Sequence, residues 1–121
     1  MKLLHYIIIF LIFFIHTNTQ SARELIIYAD SIDYDSEKNM IAKGNVKIIS
    51  DSSEVITSNI IIIQNESNKI ILPKEFQYRD EGNNYYYGTS GEFDSNLDEA
   101  LINDLKIYLS DGSRIVGKKG F

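Results

Sequence analysis

The chain has 121 residues, with 12 Lys+Arg against 17 Asp+Glu, a formal net charge of −5, no cysteine and one proline. Both histidines, His5 and His16, lie in the first 22 residues, so the 99 that follow hold 11 Lys+Arg, 17 Asp+Glu and no His, Cys or Trp. That composition excludes disulfide frameworks, Cys-Zn and His-metal sites, thiol redox chemistry and Ser-His-Asp or Cys-His nucleophilic machinery. An acidic balance also lacks the basic footprint of a nucleic-acid binder.

Residues 1–22 read as an address. Met1-Lys2 is a short positive start, and Leu3 to Ile15 is an apolar run of thirteen residues broken only by His5. Thr17-Asn18-Thr19-Gln20-Ser21-Ala22 then turns small and polar. A membrane-spanning helix needs about 20 apolar residues, so the pattern predicts a secretory signal peptide, with residues 23–121 as one mature domain. Cleavage after Ser21 fits the small-x-small rule better than cleavage after Ala22. An uncleaved N-terminal membrane anchor is the alternative. No Cys follows the run, which excludes a lipoprotein anchor.

Past residue 22 the apolar residues alternate in short runs. Ile32/Tyr34 alternate with Asp33/Asp35, Val46/Ile48 with Lys47, Phe76/Tyr78 with Gln77/Arg79, and Leu105/Ile107/Leu109 with Lys106/Tyr108. Period two marks strands with one face buried and one wet. The sixteen Ile after residue 22, four of them in the run Ile60–Ile63, are strand composition. At Ile60–Ile63 both parities are apolar, so register is open there. No long stretch keeps a helical period. Polar breakers fall at Asp35–Asn39, Ser50–Ser53, Gln64–Asn68, Arg79–Asn84, Asp94–Asp98 and Asp111–Ser113, the punctuation of consecutive antiparallel strands.

The segments also resemble one another. Tyr28-Ala29-Asp30-Ser31-Ile32-Asp33-Tyr34-Asp35-Ser36 aligns with Tyr87-Gly88-Thr89-Ser90-Gly91-Glu92-Phe93-Asp94-Ser95 at an offset of 59, and with Thr57-Ser58-Asn59-Ile60-Ile61-Ile62-Ile63 at 29. Each copy runs through a polar turn into a second strand, at Val46–Ile49, Phe76–Tyr78 and Leu105–Tyr108. A period of about 30 residues, three times over, predicts stacked strand pairs that bury their apolar faces only together.

These residues carry a resemblance to a family. Tyr28-Ala29-Asp30-Ser31-Ile32-Asp33-Tyr34-Asp35 followed by Asn39-Met40-Ile41-Ala42-Lys43-Gly44-Asn45-Val46 is similar to the opening repeat of the OstA-like family, the LptA and LptD N-terminal periplasmic domains. Glu92-Phe93-Asp94, Leu105 and Leu109-Ser110-Asp111-Gly112-Ser113-Arg114-Ile115 resemble its last repeat in the LptD form, so the likeness covers roughly residues 26–117. It implies an all-β fold, an antiparallel β-jellyroll made of an open sheet folded over an apolar groove. It implies a non-enzymatic module for lipopolysaccharide transport in the periplasm and outer membrane. Such a module takes lipid A acyl chains into its groove and pairs its edge strands with other Lpt-type jellyrolls, without cofactor, metal or nucleic acid. The chain departs from LptD relatives in stopping at Phe121 without a barrel and in having no cysteine. A truncated reading frame, a split gene and a stand-alone shuttle each fit that pattern.

Under this resemblance Ile32, Tyr34, Val46, Ile48, Ile61, Ile63, Phe76, Tyr78, Phe93, Leu105 and Ile107 are the candidate lipid-binding lining. Holding a hydrocarbon tail in water costs about 0.8 kcal/mol per CH₂, so a carrier needs an apolar interior and little else. Alternation alone fits an ordinary sandwich core equally. A protein-docking repeat domain without lipid, or a remnant of a longer protein, are the other readings. The candidate docking edges are Leu25–Tyr28 at one end and either Asp104–Leu109 or Ser113–Val116 at the other. Asp33, Asp35 and Glu37 share a strand face but lack the ligand spacing of a calcium loop. Asn65-Glu66-Ser67 reads as a polar turn, Tyr85-Tyr86-Tyr87 as aromatics on both strand faces, and Lys106, Arg114, Lys118 and Lys119 as a locally basic end.

Overall fold

The structure, a computed structural model, describes residues 24–116 and the backbone of 119–120. The signal-peptide or anchor segment, residues 1–22, lies outside the described residues. All described elements are strands: β1 (Leu25–Tyr28), β2 (Ser31–Tyr34), β3 (Met40–Ser50), β4 (Val55–Ile63), β5 (Ile70–Leu72), β6 (Phe76–Arg79), β7 (Tyr85–Gly88), β8 (Ser90–Phe93), β9 (Ala100–Asn103), β10 (Lys106–Tyr108), β11 (Arg114–Val116) and β12 (Lys119–Gly120).

The pairing reduces to one plan. Strands β3 and β4 run unbroken across a bend, and the other ten follow one another in couples: β1–β2, β5–β6, β7–β8, β9–β10 and β11–β12. The result is seven bent strands in an antiparallel meander, each paired only with its neighbours along the chain. Folding the meander along its bend gives two leaves. The first leaf holds β1, the later half of β3, the first half of β4, then β6, β7, β10 and β11. The second holds β2, the remaining halves of β3 and β4, then β5, β8, β9 and β12. This curled, open, jellyroll-like sheet is the all-β antiparallel architecture expected from the alternation. The pairing runs evenly from strand to strand and marks no boundary between strand-pair units.

Six polar breakers become the six hairpin turns, and most are one device repeated. The backbone N–H of Asp35 bonds to the Asn39 carbonyl at 3.1 Å, and Lys38 N–H returns to the Asp35 carbonyl at 3.0 Å. Lys38 then sits at φ 65°. Ser50, Asp80 and Leu109 open identical turns, with Ser53, Asn83 and Gly112 at positive φ. A three-residue loop closed by a residue in the left-handed region is a common hairpin connection. At Asp35, Ser50 and Asp80 a side-chain acceptor explains why Asp or Ser stands first. Asp35 Oδ1 accepts from the N–H groups of Glu37 and Asn39, both at 2.9 Å, and Ser50 Oγ accepts from those of Ser52 and Glu54 at 3.2 and 3.1 Å. The Asn65 backbone N–H donates to Asn39 Oδ1 at 2.8 Å, so Asn65-Glu66-Ser67 is a polar turn docked on its neighbour.

At the bend, Asp30 and Gly44-Asn45 form one joint. The β3–β4 register shifts between Lys43 and Val46, and Gly44 and Asn45 take φ 80° and 47°. Asp30 N–H bonds to the Gly44 carbonyl at 2.9 Å, while Asn45 Nδ2 donates to Asp30 Oδ2 at 3.1 Å. Only glycine fits between them, because a Cβ on Gly44 would lie 2.9 Å from the Asp30 Cβ and 2.5 Å from Oδ2.

Candidate functional site

Register fixes which residues look between the leaves. Ile48 is fully buried and pairs with Ile27 and Ile56, and Val46 pairs with Ser58, so these positions face inward on the first leaf. Following the ladder outward, Phe76 opposes Ser58, Tyr78 opposes Ile56 and Tyr86, and Ile107 opposes Tyr86 and Ile115. On the second leaf, Ala42 opposes Ile32 and Ile61, Met40 opposes Tyr34 and Ile63, and Ile70 opposes Ile63 and Phe93. Leu105 lies between β9 and β10 without a register partner and packs against the same core. All eleven residues of the candidate lining therefore share the inner side. The open question at Ile60–Ile63 resolves with Ile61 and Ile63 inward and Ile60 and Ile62 outward.

Their surroundings differ along the sheet. In the middle the leaves close: Val46, Ile48, Ile61, Phe76 and Phe93 are buried together with Ala42, Ile56, Ile70, Leu72 and Ile102. Alternation does not single out that second set: Ile70, Leu72 and Ile102 lie in strands of three or four residues, and Ala42 and Ile56 lie on the long strands to either side of the register shift between Lys43 and Val46. The Phe76 and Phe93 rings meet edge to face at 5.9 Å, and Tyr78 reaches Phe93 at 5.1 Å and Tyr86 at 5.3 Å. Gly88 makes room for this cluster, since a Cβ there would approach the Phe76 ring to 2.7 Å. Ile63, Tyr78, Leu105 and Ile107 are half-buried. Toward the two edges the lining opens to solvent: Ile32 is 43 % exposed and Tyr34 64 % on β2, and the inward-register Ile115 is 53 % exposed on β11.

The polar groups of the interior sit at the hairpin end of the first leaf. The buried Glu54 carboxylate accepts from the Tyr78 hydroxyl and from Ser50 Oγ, the latter at 3.4 Å. Beside it, Tyr86 hydroxyl donates to Asp80 Oδ2 at 3.0 Å, and Asn84 donates to the same carboxylate through its backbone and side chain at 2.9 and 3.0 Å. Partial burial pushes the Asp80 carboxyl up, but the bonds from Asn84 and Tyr86 outweigh it and hold the group below its ordinary 3.8. Burial and the same Asp80 bond push the Tyr86 hydroxyl above its ordinary value. Asp33 faces outward on β2, while Asp35 spends its oxygens on its own turn. Among the described residues, no group of three or more His, Cys, Asp or Glu is arranged to hold a metal ion.

The sheet edges are also defined among the described residues. Strands β1 and β2 pair only with β3, β11 only with β10, and β12 only with β9. Of the two expected C-terminal candidates, Ser113–Val116 contains the edge. Asp104–Leu109 contains β10, which is hydrogen-bonded on both sides by β7 and β11.

The family model described as LptA/(LptD N-terminal domain) LPS transport protein matches residues 26–119. Among curated proteins, the chain has no match.

Proposed function

The chain belongs to the LptA and LptD N-terminal-domain family of lipopolysaccharide-transport proteins, and we propose that it is an envelope module that holds acyl chains of lipopolysaccharide between its two leaves. The observation that carries this reading is the distribution of the lining. A mainly apolar inner face is sealed at the centre and open at both edges, where Ile32, Tyr34 and Ile115 keep inward register yet meet solvent. Exposed inward-facing apolar side chains are costly for a protein that merely fills its own core. They suit one that admits a hydrocarbon chain at the edge and presents unpaired backbone there for strand addition by a neighbouring jellyroll. A single transport path then runs from one module into the next, delivering toward the outer membrane. Between the leaves, acyl-chain binding is passive and draws on apolar burial.

The test places a photo-activatable side chain at Ile32, Ile107 and Ile115, with Asp33 on the outer face of β2 as control. Lipopolysaccharide captured at the three inner positions and not at Asp33 is the expected result. Capture at Asp33 alone, or equally at all four, would overturn the reading. The filled centre favours a second reading, protein docking through the edges without lipid. It predicts that Ile32 and Ile115 capture a partner protein and no lipid.

A further inference from the structure

The outer face of the first leaf departs from the charge of the chain that builds it. The chain carries a net charge of −5, yet no outward position on β1, β6, β7, β10, β11 or the first-leaf halves of β3 and β4 is Asp or Glu. Four cations stand there: Lys47, Arg79, Lys106 and Arg114. Their cross-strand neighbours are Tyr28 and Thr57 for Lys47, Val55 and Tyr85 for Arg79, Tyr87 and Val116 for Lys106, and Tyr108 for Arg114. Oppositely charged cross-strand pairs stabilise a sheet, and an acidic chain has carboxylates to spare. Here none is placed opposite a cation. The second leaf behaves differently, with Asp33 and Glu92 among its outward positions.

The unpaired cations lie among exposed rings. Tyr87 and Tyr108, 37 % and 39 % exposed, meet edge to face at 5.4 Å, and the Arg114 guanidinium sits 5.9 Å over the Tyr108 ring. Around them Thr57 and Gln77 add hydroxyl and amide groups. We infer that this face binds the phosphorylated sugar part of a lipopolysaccharide-type glycolipid, with Tyr87 and Tyr108 stacking on sugar rings and Lys106 and Arg114 pairing with phosphates. The inference rests on the transport reading above and adds a second contact surface to it. The loop residue Glu75 shares a hollow with Lys47, Gln77 and Tyr87, so the strands withhold carboxylates most fully around Lys106 and Arg114. Charge complementarity there selects the occupant: a phosphate supplies the anions that these strands lack, and ring faces flanked by polar groups suit a carbohydrate. A bilayer surface fits less well, because the exposed aliphatics Ile26 and Val116 stand at opposite edges of the leaf and not at its centre. A second copy stacked face to face would set cations against cations.

The experiment titrates the purified protein with deacylated lipopolysaccharide oligosaccharide that keeps its phosphates, and with the same oligosaccharide after dephosphorylation. The phosphorylated form is expected to bind, and dephosphorylation to weaken binding about tenfold or more. The Lys106→Gln/Arg114→Gln double variant, and Arg114→Gln alone to a smaller degree, should weaken the phosphorylated form similarly. Tyr108→Ala should weaken both forms alike. Acyl-chain capture from Ile32 should persist in all of these variants. No binding of the phosphorylated oligosaccharide, or binding unchanged in the double variant, overturns the inference. So do binding to phosphatidylglycerol vesicles alone and self-association that the double variant abolishes. Loss of Ile32 capture with oligosaccharide binding retained would instead count against the acyl-chain groove.

Discussion

At the scale of single residues, the joint of Asp30 with Gly44 and Asn45 explains a piece of sequence that alternation does not. Lys43-Gly44-Asn45-Val46 interrupts a long strand, and its φ values of 80° and 47° place two successive residues in the left-handed region. Gly44→Ala is expected to lower stability by about 2–4 kcal/mol, combining the left-handed penalty with the contact against Asp30. Urea unfolding with an unchanged slope would show the loss as a shift in midpoint. Because the nearest fixed atom is the Asp30 Cβ at 2.9 Å, Asp30→Gly should recover part of that loss in the double variant, a coupling that independent sites do not show.

At the scale of elements, the hairpin turns tie stability to acid. The carboxyls of Asp35, Asp80 and Asp111 are all held below 3.8: backbone and side-chain bonds from Asn39 act on the first, bonds from Asn84 and Tyr86 overcome burial at the second, and Ser113 acts on the third. A carboxyl depressed in the fold protonates more readily once the chain unfolds. Its stabilisation is therefore complete above pH 3.8 and drains away as pH falls through the depressed values. Asp80→Asn should flatten part of that acid limb. It should also lower the midpoint at neutral pH, because the amide NH2 that replaces one carboxylate oxygen is a donor only and loses at least one bond from Asn84 or Tyr86. Thermal melts between pH 2 and 7 would check both effects. The six turns were legible as polar clusters because Asp, Ser and Asn serve a backbone that leaves the sheet. Which short runs join into one bent strand was not legible. Across Ile56, Ser58, Ile61 and Ile63 the inward parity changes from even to odd at the bend, and a sequence of isoleucines conceals the change.

For the whole molecule, the inner face has two regimes, a sealed centre and open margins. The lining predicted from alternation included both, since period two reports which way a side chain points and not how deep it lies. Ile32 and Ile48 read alike in sequence, yet one stands on an edge strand at 43 % exposure and the other at 1 % between paired neighbours. Depth depends on the number of strands beyond a residue, which only the assembled sheet supplies. Leu72→Ala is therefore expected to cost about 2–5 kcal/mol as a buried truncation, whereas Ile32→Ala should stay near 0.5 kcal/mol. Equal losses in chemical unfolding would mean that the margin is closed as tightly as the centre.

The meander has one more consequence. Since, among the described residues, each bent strand is held only by the strands before and after it in the chain, that sheet has no keystone. A hairpin gained or lost at either margin lengthens or shortens the sheet by about 4.8 Å per strand and leaves the remaining rungs seated. Length is then a property that such a protein can change by insertion or deletion without redesigning its middle.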